Sequence, residues 1–322
     1  MNKAKFFIKK LKAFDLVAVV FYLILSLLHL IYYERIEYSF YWMLINLFII
    51  LFTFGISYLE ALTNESDPKT NRIISLIHYW YIAPLILLTF KQLWYMVKPI
   101  RQVDYDQLFI QIDRWMFGTD PTHFLYQFSH PVITEILQIT YNTFYLLPII
   151  LALSLLKEKR FLAVDFAVFS VIYGFFLSYL GYFTLPGIGP RFTLHDFELI
   201  NEQLPGLFLT NYLREIVNTG ESIPAGTPNP AEVVQRDVFP SGHTMITLIV
   251  MYLSIKLKSR TRYFLVPVGT LLIFSTVYLW YHYVIDLIGG ALFMIFSMWS
   301  GKYFFNWWRR KIGKEEFEFG KY

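Results

Sequence analysis

Two histidines and one carboxylate stand at the starts of hydrophobic segments, where ionisable side chains are costly to hold. His243 follows Ser241 and Gly242 at the start of one such segment, and His282 and Asp286 open a later one. Residues four apart share a helix face, so Asp286 can accept one N–H of the His282 ring and leave the other nitrogen free. A histidine oriented in this way can act as a nucleophile in phosphoryl transfer, while a second histidine protonates the leaving group.

The segment that begins near His243 is also suited to bind an anion. Ser241 can cap the helix, Gly242 lets its backbone approach a ligand closely, and the free N–H groups of the first turn attract a phosphate. The glycine-rich run 185–191 ends in Arg191, whose planar guanidinium matches phosphate oxygens. We predict that Arg191, Ser241 and Gly242 bind the substrate phosphate, although Arg191 alone is equally explained as a surface arginine on a turn.

The composition indicates a polytopic membrane protein. Of the 322 residues, 56% are hydrophobic and 16% are charged, whereas a soluble domain carries about 25% charged residues. The absence of cysteine excludes disulfides, thiolate metal sites and a cysteine nucleophile. The net charge of +4 is modest, and the charge distribution points to membrane topology and not to nucleic acid.

Eight stretches approach or exceed the roughly 20 apolar residues that a membrane span needs. With the N-terminus in the cytoplasm, 20 of the 28 Lys and Arg residues fall in cytoplasmic segments and 7 lie on the opposite side, in agreement with the positive-inside rule. We therefore predict an all-α polytopic membrane protein with about eight transmembrane helices, both termini cytoplasmic, and the candidate site at the outer surface. The stretches are 14–33, 40–62, 73–97, 132–156, 161–184, 241–257, 263–281 and 284–306.

Two segments, 98–131 and 185–240, are predicted to lie outside the membrane on the outer side. In the first, apolar residues including Leu108 and Trp115 recur at helical spacing, and Asp106 and Asp113 belong to the polar residues between them. This pattern predicts an interfacial amphipathic helix in which both acids belong to the polar face. The second is rich in proline, and its part 207–217 has the pattern of a short helix.

The run 239–243, Phe-Pro-Ser-Gly-His, followed by His282-x-x-x-Asp286, resembles the second and third motifs of the type 2 phosphatidic acid phosphatase (PAP2) superfamily. The resemblance implies a six-helix catalytic core, no metal or other cofactor, and a phosphohistidine intermediate. It implies that His282 is the nucleophile, that Asp286 orients it, and that His243 protonates the leaving group. Arg191 corresponds to the phosphate-binding arginine of the first motif.

The chain departs from the family pattern in three places, and two of these departures each remove a phosphate-binding cation. Thr184 stands where the first motif has lysine, Pro190-Arg191 reverses the usual Arg-Pro order, and Ser275-Thr276 stands where the third motif has Ser-Arg. Other charges on the predicted outer side are candidates to replace them. These are Lys91, Lys98, Arg101 and Arg236.

The departures resemble the inositol phosphorylceramide synthase-like branch of the superfamily and its bacterial relatives. That branch shares the pattern 278–287, Tyr-Leu-x-x-His-Tyr-x-x-Asp-Leu, without an arginine. Gly242 differs, because the fungal synthases typically have leucine before the second-motif histidine, and glycine is the phosphatase-like choice. The resemblance therefore leaves hydrolysis and transfer to an alcohol both open.

The resemblance implies a division into an N-terminal membrane region over 1–72, a catalytic core over 73–306 and a cytoplasmic tail over 307–322. It implies a lipid phosphatase or phosphotransferase that cleaves a phospholipid or lipid phosphate, with water or an alcohol as acceptor. The expected location is a bacterial inner membrane, with the site facing the periplasm or exterior. A non-catalytic lipid-binding or transport protein is the alternative, although charges near the bilayer midplane and repeated halves, typical of transporters, are not evident.

Overall fold

The computed structural model describes residues 10–63 and 68–321, and every regular element in these ranges is an α-helix. The predicted all-α class is therefore confirmed. Most of the basic N-terminal segment and part of the predicted loop 63–72 lie outside the described residues. The longer helices are α1 (Ala13–Ile31), α2 (Ser39–Thr63), α3 (Pro68–Trp80), α4 (Ile82–Ile100), α5 (Asp106–Phe117), α7 (Pro131–Asn142), α8 (Leu146–Lys157), α9 (Phe161–Gly181), α12 (Thr210–Gly220), α14 (Gly242–Lys256), α15 (Arg262–Tyr278) and α16 (Val284–Lys311).

Within the described ranges, five helical stretches are long and apolar enough to cross a membrane. They are α1, α2, α9, α16 and the stretch Arg72–Ile100, which covers most of α3 and all of α4. Helices α7 and α8 meet at an angle of 57° and form a sixth if they are one span. Helices α14 and α15 are apolar but shorter. Such a set of helices is that of an integral membrane protein, whereas eight spans and the orientation of the termini stay predictions.

Helix α9 lies at the centre of the bundle and packs against both α14 and α16. Its small residues allow this close packing, as their helical spacing suggests. A β-carbon on Gly174 would lie 2.6 Å from the Ile249 side chain of α14, and one on Gly181 would lie 2.6 Å from Pro240. The packing fixes the segment that precedes His243 against the end of α9.

Buried histidines connect the N-terminal helices α1–α4 to one another. His78 contacts the carboxylates of Asp15 at 2.8 Å and Glu60 at 2.6 Å, which links α1, α2 and α3. Nearer the other end of the bundle, His29 contacts Ser39 at 3.2 Å and Gln92 at 3.0 Å. These contacts satisfy polar groups that would otherwise be costly inside a bundle.

The segments 101–130 and 182–241 fold over one end of the bundle, which we call the site end. They contain α5 and α12, and the short helices α6 (Pro121–Tyr126), α10 (Pro190–Thr193), α11 (Ile200–Gln203) and α13 (Pro230–Val233). The start of α12 is held by Glu135 of α7, whose carboxylate accepts the backbone N–H groups of Leu207, Leu209 and Thr210 at 2.7 to 3.2 Å. The long proline-rich segment is therefore an ordered cover over the site end.

Candidate active site

The break between α15 and α16 places His282 at the site end. The backbone N–H groups of Tyr281 and His282 both donate to the carbonyl of Thr276, at 2.9 and 3.0 Å. Trp280 has a positive φ of 66°, and the turn there reverses the chain. Helix α16 then begins at Val284, so His282 stands just before its first turn and Asp286 lies inside it.

Asp286 holds the His282 ring. Its Oδ2 lies 3.4 Å from His282 Nδ1 and accepts the Tyr283 backbone N–H at 2.8 Å. Asp286 is fully buried and His282 nearly so. This contact directs Nδ1 towards the carboxylate, so the predicted arrangement of the two side chains is present.

The start of α14 brings His243 to the same place. The Ser241 hydroxyl accepts the Thr244 N–H at 3.2 Å, and the Ser241 N–H donates to the Asp286 carbonyl at 3.0 Å. The start of α14 is thus tied directly to α16. The rings of His243 and His282 lie 5.7 Å apart, centre to centre, close enough for both to contact one phosphoryl group.

Gly242 is required by packing at this junction. A β-carbon there would lie 2.8 Å from the Tyr182 hydroxyl and 3.1 Å from Ser178 Oγ, both near the end of α9. The absence of a side chain therefore allows α14 to approach α9. The predicted role of Gly242 in binding phosphate stays a prediction.

Aromatic rings hold His243 in place. Tyr141 stacks on it with ring centres 4.6 Å apart, and Phe144 lies at 4.4 Å. Tyr281 in turn stacks on Tyr141, with ring centres 4.4 Å apart. Tyr141 belongs to α7 and Phe144 follows its end, so this part of the chain fixes the His243 imidazole, while Tyr281 of the α15–α16 break packs behind Tyr141.

Arg191 lies beside this cluster and is buried, with 2% of its surface exposed. Its backbone N–H donates to the Trp280 carbonyl at 3.1 Å, and its guanidinium lies 5.0 Å from the Tyr281 ring centre. Its charge acts on His282. The guanidinium also donates to Asn218 Oδ1 at 3.0 Å and forms an ion pair with Glu221. Arg191 therefore lies in the same region as the five candidate residues of the second and third motifs. Its guanidinium, however, is already paired with Glu221.

Two buried acids of α5 hold the loops of the site, a role that the sequence pattern did not reveal. Asp113 accepts the N–H groups of Val284 and Ile285 at 2.8 and 2.9 Å, capping α16. Asp106 accepts the Gly189 N–H at 2.8 Å, where a positive φ of 95° favours glycine. The pattern assigned both acids to the polar face of an interfacial helix, but the structure buries them, and their carboxylates accept backbone N–H groups.

The cations suggested as replacements for the missing lysine and arginine bind other groups. Lys91 donates to the Ser222 hydroxyl, and Lys98 donates to the Glu232 carbonyl. Arg101 donates to the Thr184 carbonyl at 2.9 Å, and Arg236 binds the carbonyls of the 231–234 segment and Asp104. None of their described contacts involves either histidine. The buried Arg214 is also occupied, because its guanidinium donates to Asn201 Oδ1 and to the Leu204 carbonyl.

A family model described as the PAP2 superfamily matches residues 107–300. The chain belongs to the PAP2 superfamily. The match covers more than half of the chain, runs from α5 into α16, and includes Arg191, His243, His282 and Asp286. Helices α1–α4 precede the PAP2 match, and the division at residue 72 stays a prediction. Comparisons with curated proteins and with solved structures gave no match.

Proposed function

We propose that this protein is a membrane enzyme that cleaves a lipid phosphoester through a phosphohistidine at His282. The observation that carries the proposal is the 5.7 Å separation of the His243 and His282 rings, with Asp286 on His282 Nδ1. Membership of the PAP2 superfamily supports a phosphatase-type activity on lipid phosphoesters. The arrangement has the parts of nucleophilic catalysis: a nucleophile, an orienting carboxylate and a nearby acid.

In the first step, His282 Nε2 attacks phosphorus, because Nδ1 faces Asp286. The N–P bond forms while the bond between phosphorus and the lipid oxygen breaks, and His243 gives its proton to that oxygen. In the second step, water or an alcohol attacks phosphorus and the N–P bond breaks. The attacking oxygen passes its proton to His243, which restores the starting state.

The phosphate oxygens are proposed to lie against Arg191 and the first turn of α14. Backbone N–H groups at the start of a helix attract anions, and Ser241 and Gly242 stand at that start. These donors are fixed before the reaction, which is how such sites stabilise developing charge. The two missing family cations leave Arg191 as the central positive charge of the proposal.

The pH dependence of activity should reflect the surroundings of His282. Burial, followed by the nearby His243, lowers the pKa of His282 well below its usual range, while the Val238 carbonyl acts in the opposite direction. Only the neutral imidazole can attack, so lowering its pKa extends activity towards acid. We expect the decrease of kcat/KM on the acid side to have its midpoint below pH ~6.5, the ordinary pKa of a histidine. A midpoint at or above that value would contradict this prediction.

An apolar groove next to the site supports a lipid as the donor. It lies between α3–α4 and α8–α9 and has a volume of about 720 Å³, within the usual range for ligand pockets. Tyr145 and Phe175 line it and are stacked with ring centres 6.3 Å apart. Phe144, which contacts His243, is the neighbour of Tyr145. We propose that an acyl chain of the donor lies in this groove while its phosphate reaches the histidines.

Filling the groove should therefore discriminate between donors by chain length. Ala152 lines the groove, and Ala152→Trp is expected to raise KM at least tenfold for a long-chain lipid phosphate. A dioctanoyl analogue should be affected much less, because each buried methylene contributes about 0.8 kcal/mol. Leu292→Trp, at a position of α16 that is 61% exposed, is the matched control. Equal losses with both donors would rule out the groove as the chain site.

Hydrolysis and transfer can be separated with purified protein and donors that carry a labelled phosphate. With a lipid phosphate monoester as donor, released inorganic phosphate indicates hydrolysis. Label that appears on an added alcohol, as ceramide phosphate or inositol phosphate, indicates transfer. The inositol phosphorylceramide synthase-like assignment rests on the 278–287 pattern, and Gly242 favours hydrolysis. We favour lipid phosphatase activity, with the site on the periplasmic or exterior face of a bacterial inner membrane. Absence of both products with all donors would favour the non-catalytic alternative.

A further inference from the structure

The guanidinium proposed to bind phosphate is occupied by a carboxylate of the same chain. Arg191 donates to Asn218 Oδ1 at 3.0 Å and is ion-paired with Glu221. Asn218 lies in α12 and Glu221 directly follows it, so both come from the cover over the site end. Carboxylates and phosphates bind the same planar fork of an arginine. A substrate phosphate and Glu221 therefore compete for one position.

The surroundings make the charge on Glu221 unfavourable once a phosphate arrives. Asp237 is close enough for its charge and that of Glu221 to act on each other, and Arg191 opposes both. Burial raises the pKa of Glu221 and of Asp237 above the usual carboxyl range. An added phosphate brings further negative charge into the same enclosed space, where like charges repel strongly.

The backbone around Glu221 is fixed, so its side chain must respond locally. The Glu221 carbonyl accepts the Gln235 N–H at 3.2 Å, and its N–H donates to the Val217 carbonyl at 3.0 Å. The far end of α12 is held by Glu135, as described above. The Glu221 side chain is only 14% exposed, so loss of its charge by protonation is the direct way to release Arg191.

We propose that Glu221 is an internal competitor for Arg191, which a substrate phosphate displaces with uptake of one proton. Glu221 is then a specificity-determining residue, since only ligands whose phosphate reaches Arg191 release the ion pair. The inference rests on the proposed function in taking Arg191 as the phosphate-binding residue. The titratable and charged groups whose charges act with that of Glu221 are Tyr141, Tyr145, Tyr182, Arg191, Asp237 and Tyr281.

The test measures binding of inorganic phosphate to the full-length protein in detergent by titration calorimetry at one pH. Glu221→Gln removes the competing charge and is expected to tighten phosphate binding at least tenfold. If Glu221 only orients Arg191, the same change weakens binding, and either weakening or no change overturns the proposal. Glu215→Gln is the matched control, because Glu215 lies on α12, is exposed, and accepts the Ala225 N–H at 3.1 Å.

Proton uptake provides a second readout. Titrations in buffers of different ionisation enthalpy should show about one more proton taken up by the wild type than by Glu221→Gln, with the ionisation of phosphate common to both. Equal uptake overturns the proposal. Should Glu221→Gln fail to fold, Glu221→Asp, with its shorter reach, is expected to tighten binding to a smaller extent, and weaker binding counts against the proposal. Arg191→Ala distinguishes failure of this inference from failure of the proposed function. If this variant binds phosphate normally, the proposed function is wrong about Arg191 itself.

Discussion

Replacement of His282 by alanine is expected to lower kcat for lipid phosphate cleavage by about a thousandfold or more, the scale seen when a catalytic nucleophile is removed. The physical reason is that the variant has no group beside Asp286 that can form a bond to phosphorus. Turnover of a labelled lipid phosphate by the purified variant measures the effect. The thermal midpoint in detergent shows whether the variant is folded.

His123→Ala is the matched control for this experiment. His123 is half exposed on α6, and its described contacts are to Asp120, Leu194 and His195 and not to His243 or His282. We expect it to keep nearly full activity. A folded His282→Ala variant that turned over at the wild-type rate would refute the nucleophile assignment.

The second large effect concerns His243. His243→Gln should lower kcat by a factor of about 10² to 10⁴ for an alkyl phosphate, the usual contribution of general acid catalysis. The leaving alkoxide needs a proton, and His243 is the imidazole that lies 5.7 Å from the His282 ring. An aryl phosphate with an acidic phenol as leaving group needs little assistance, so its cleavage should be much less affected. Rates on the two donors, compared with wild type, measure this difference.

The dependence on the leaving group separates chemistry from structure. His243 is packed between Tyr141 and Phe144, and a general distortion of the site would slow both donors alike. A fall of equal size for both donors would therefore contradict the role of acid. The proton acceptor in the second step would then have to be another group.

The proposed catalytic cluster could be located from the sequence because its parts follow short local rules. The four-residue spacing of His282 and Asp286 sets their common face, and the Ser241 cap sets the start of α14. Their meeting point required a topology argument, in which the segments carrying His243 and His282 both open at one end of the bundle. The structure bears this out through the Ser241 N–H bond to the Asp286 carbonyl.

The partners of Arg191 could not be predicted in the same way. Asn218 and Glu221 lie 27 and 30 residues further along the chain, in a proline-rich segment without a long periodic pattern. Their approach depends on how α12 is anchored by Glu135, which is a tertiary contact. A charged residue in such a segment is usually interpreted as solvated, and nothing in its spacing indicates burial.

Asp106 and Asp113 show a different limit of sequence patterns. Helical periodicity predicted α5 and assigned both acids to its polar face. The structure buries them, because the N–H groups at Gly189 and at the start of α16 need acceptors. The pattern identifies polar side chains correctly but does not tell whether water or backbone satisfies them.

The central claim, a phosphohistidine at His282, is tested most directly by trapping the intermediate. Purified protein is mixed briefly with a lipid phosphate that carries radiolabelled phosphorus, quenched in alkali, digested and examined by mass spectrometry. We predict an acid-labile, alkali-stable label on the peptide that contains His282, absent from His282→Ala and present in His123→Ala. A label on another residue, or turnover without any labelled histidine under conditions that trap the intermediate, would contradict the account.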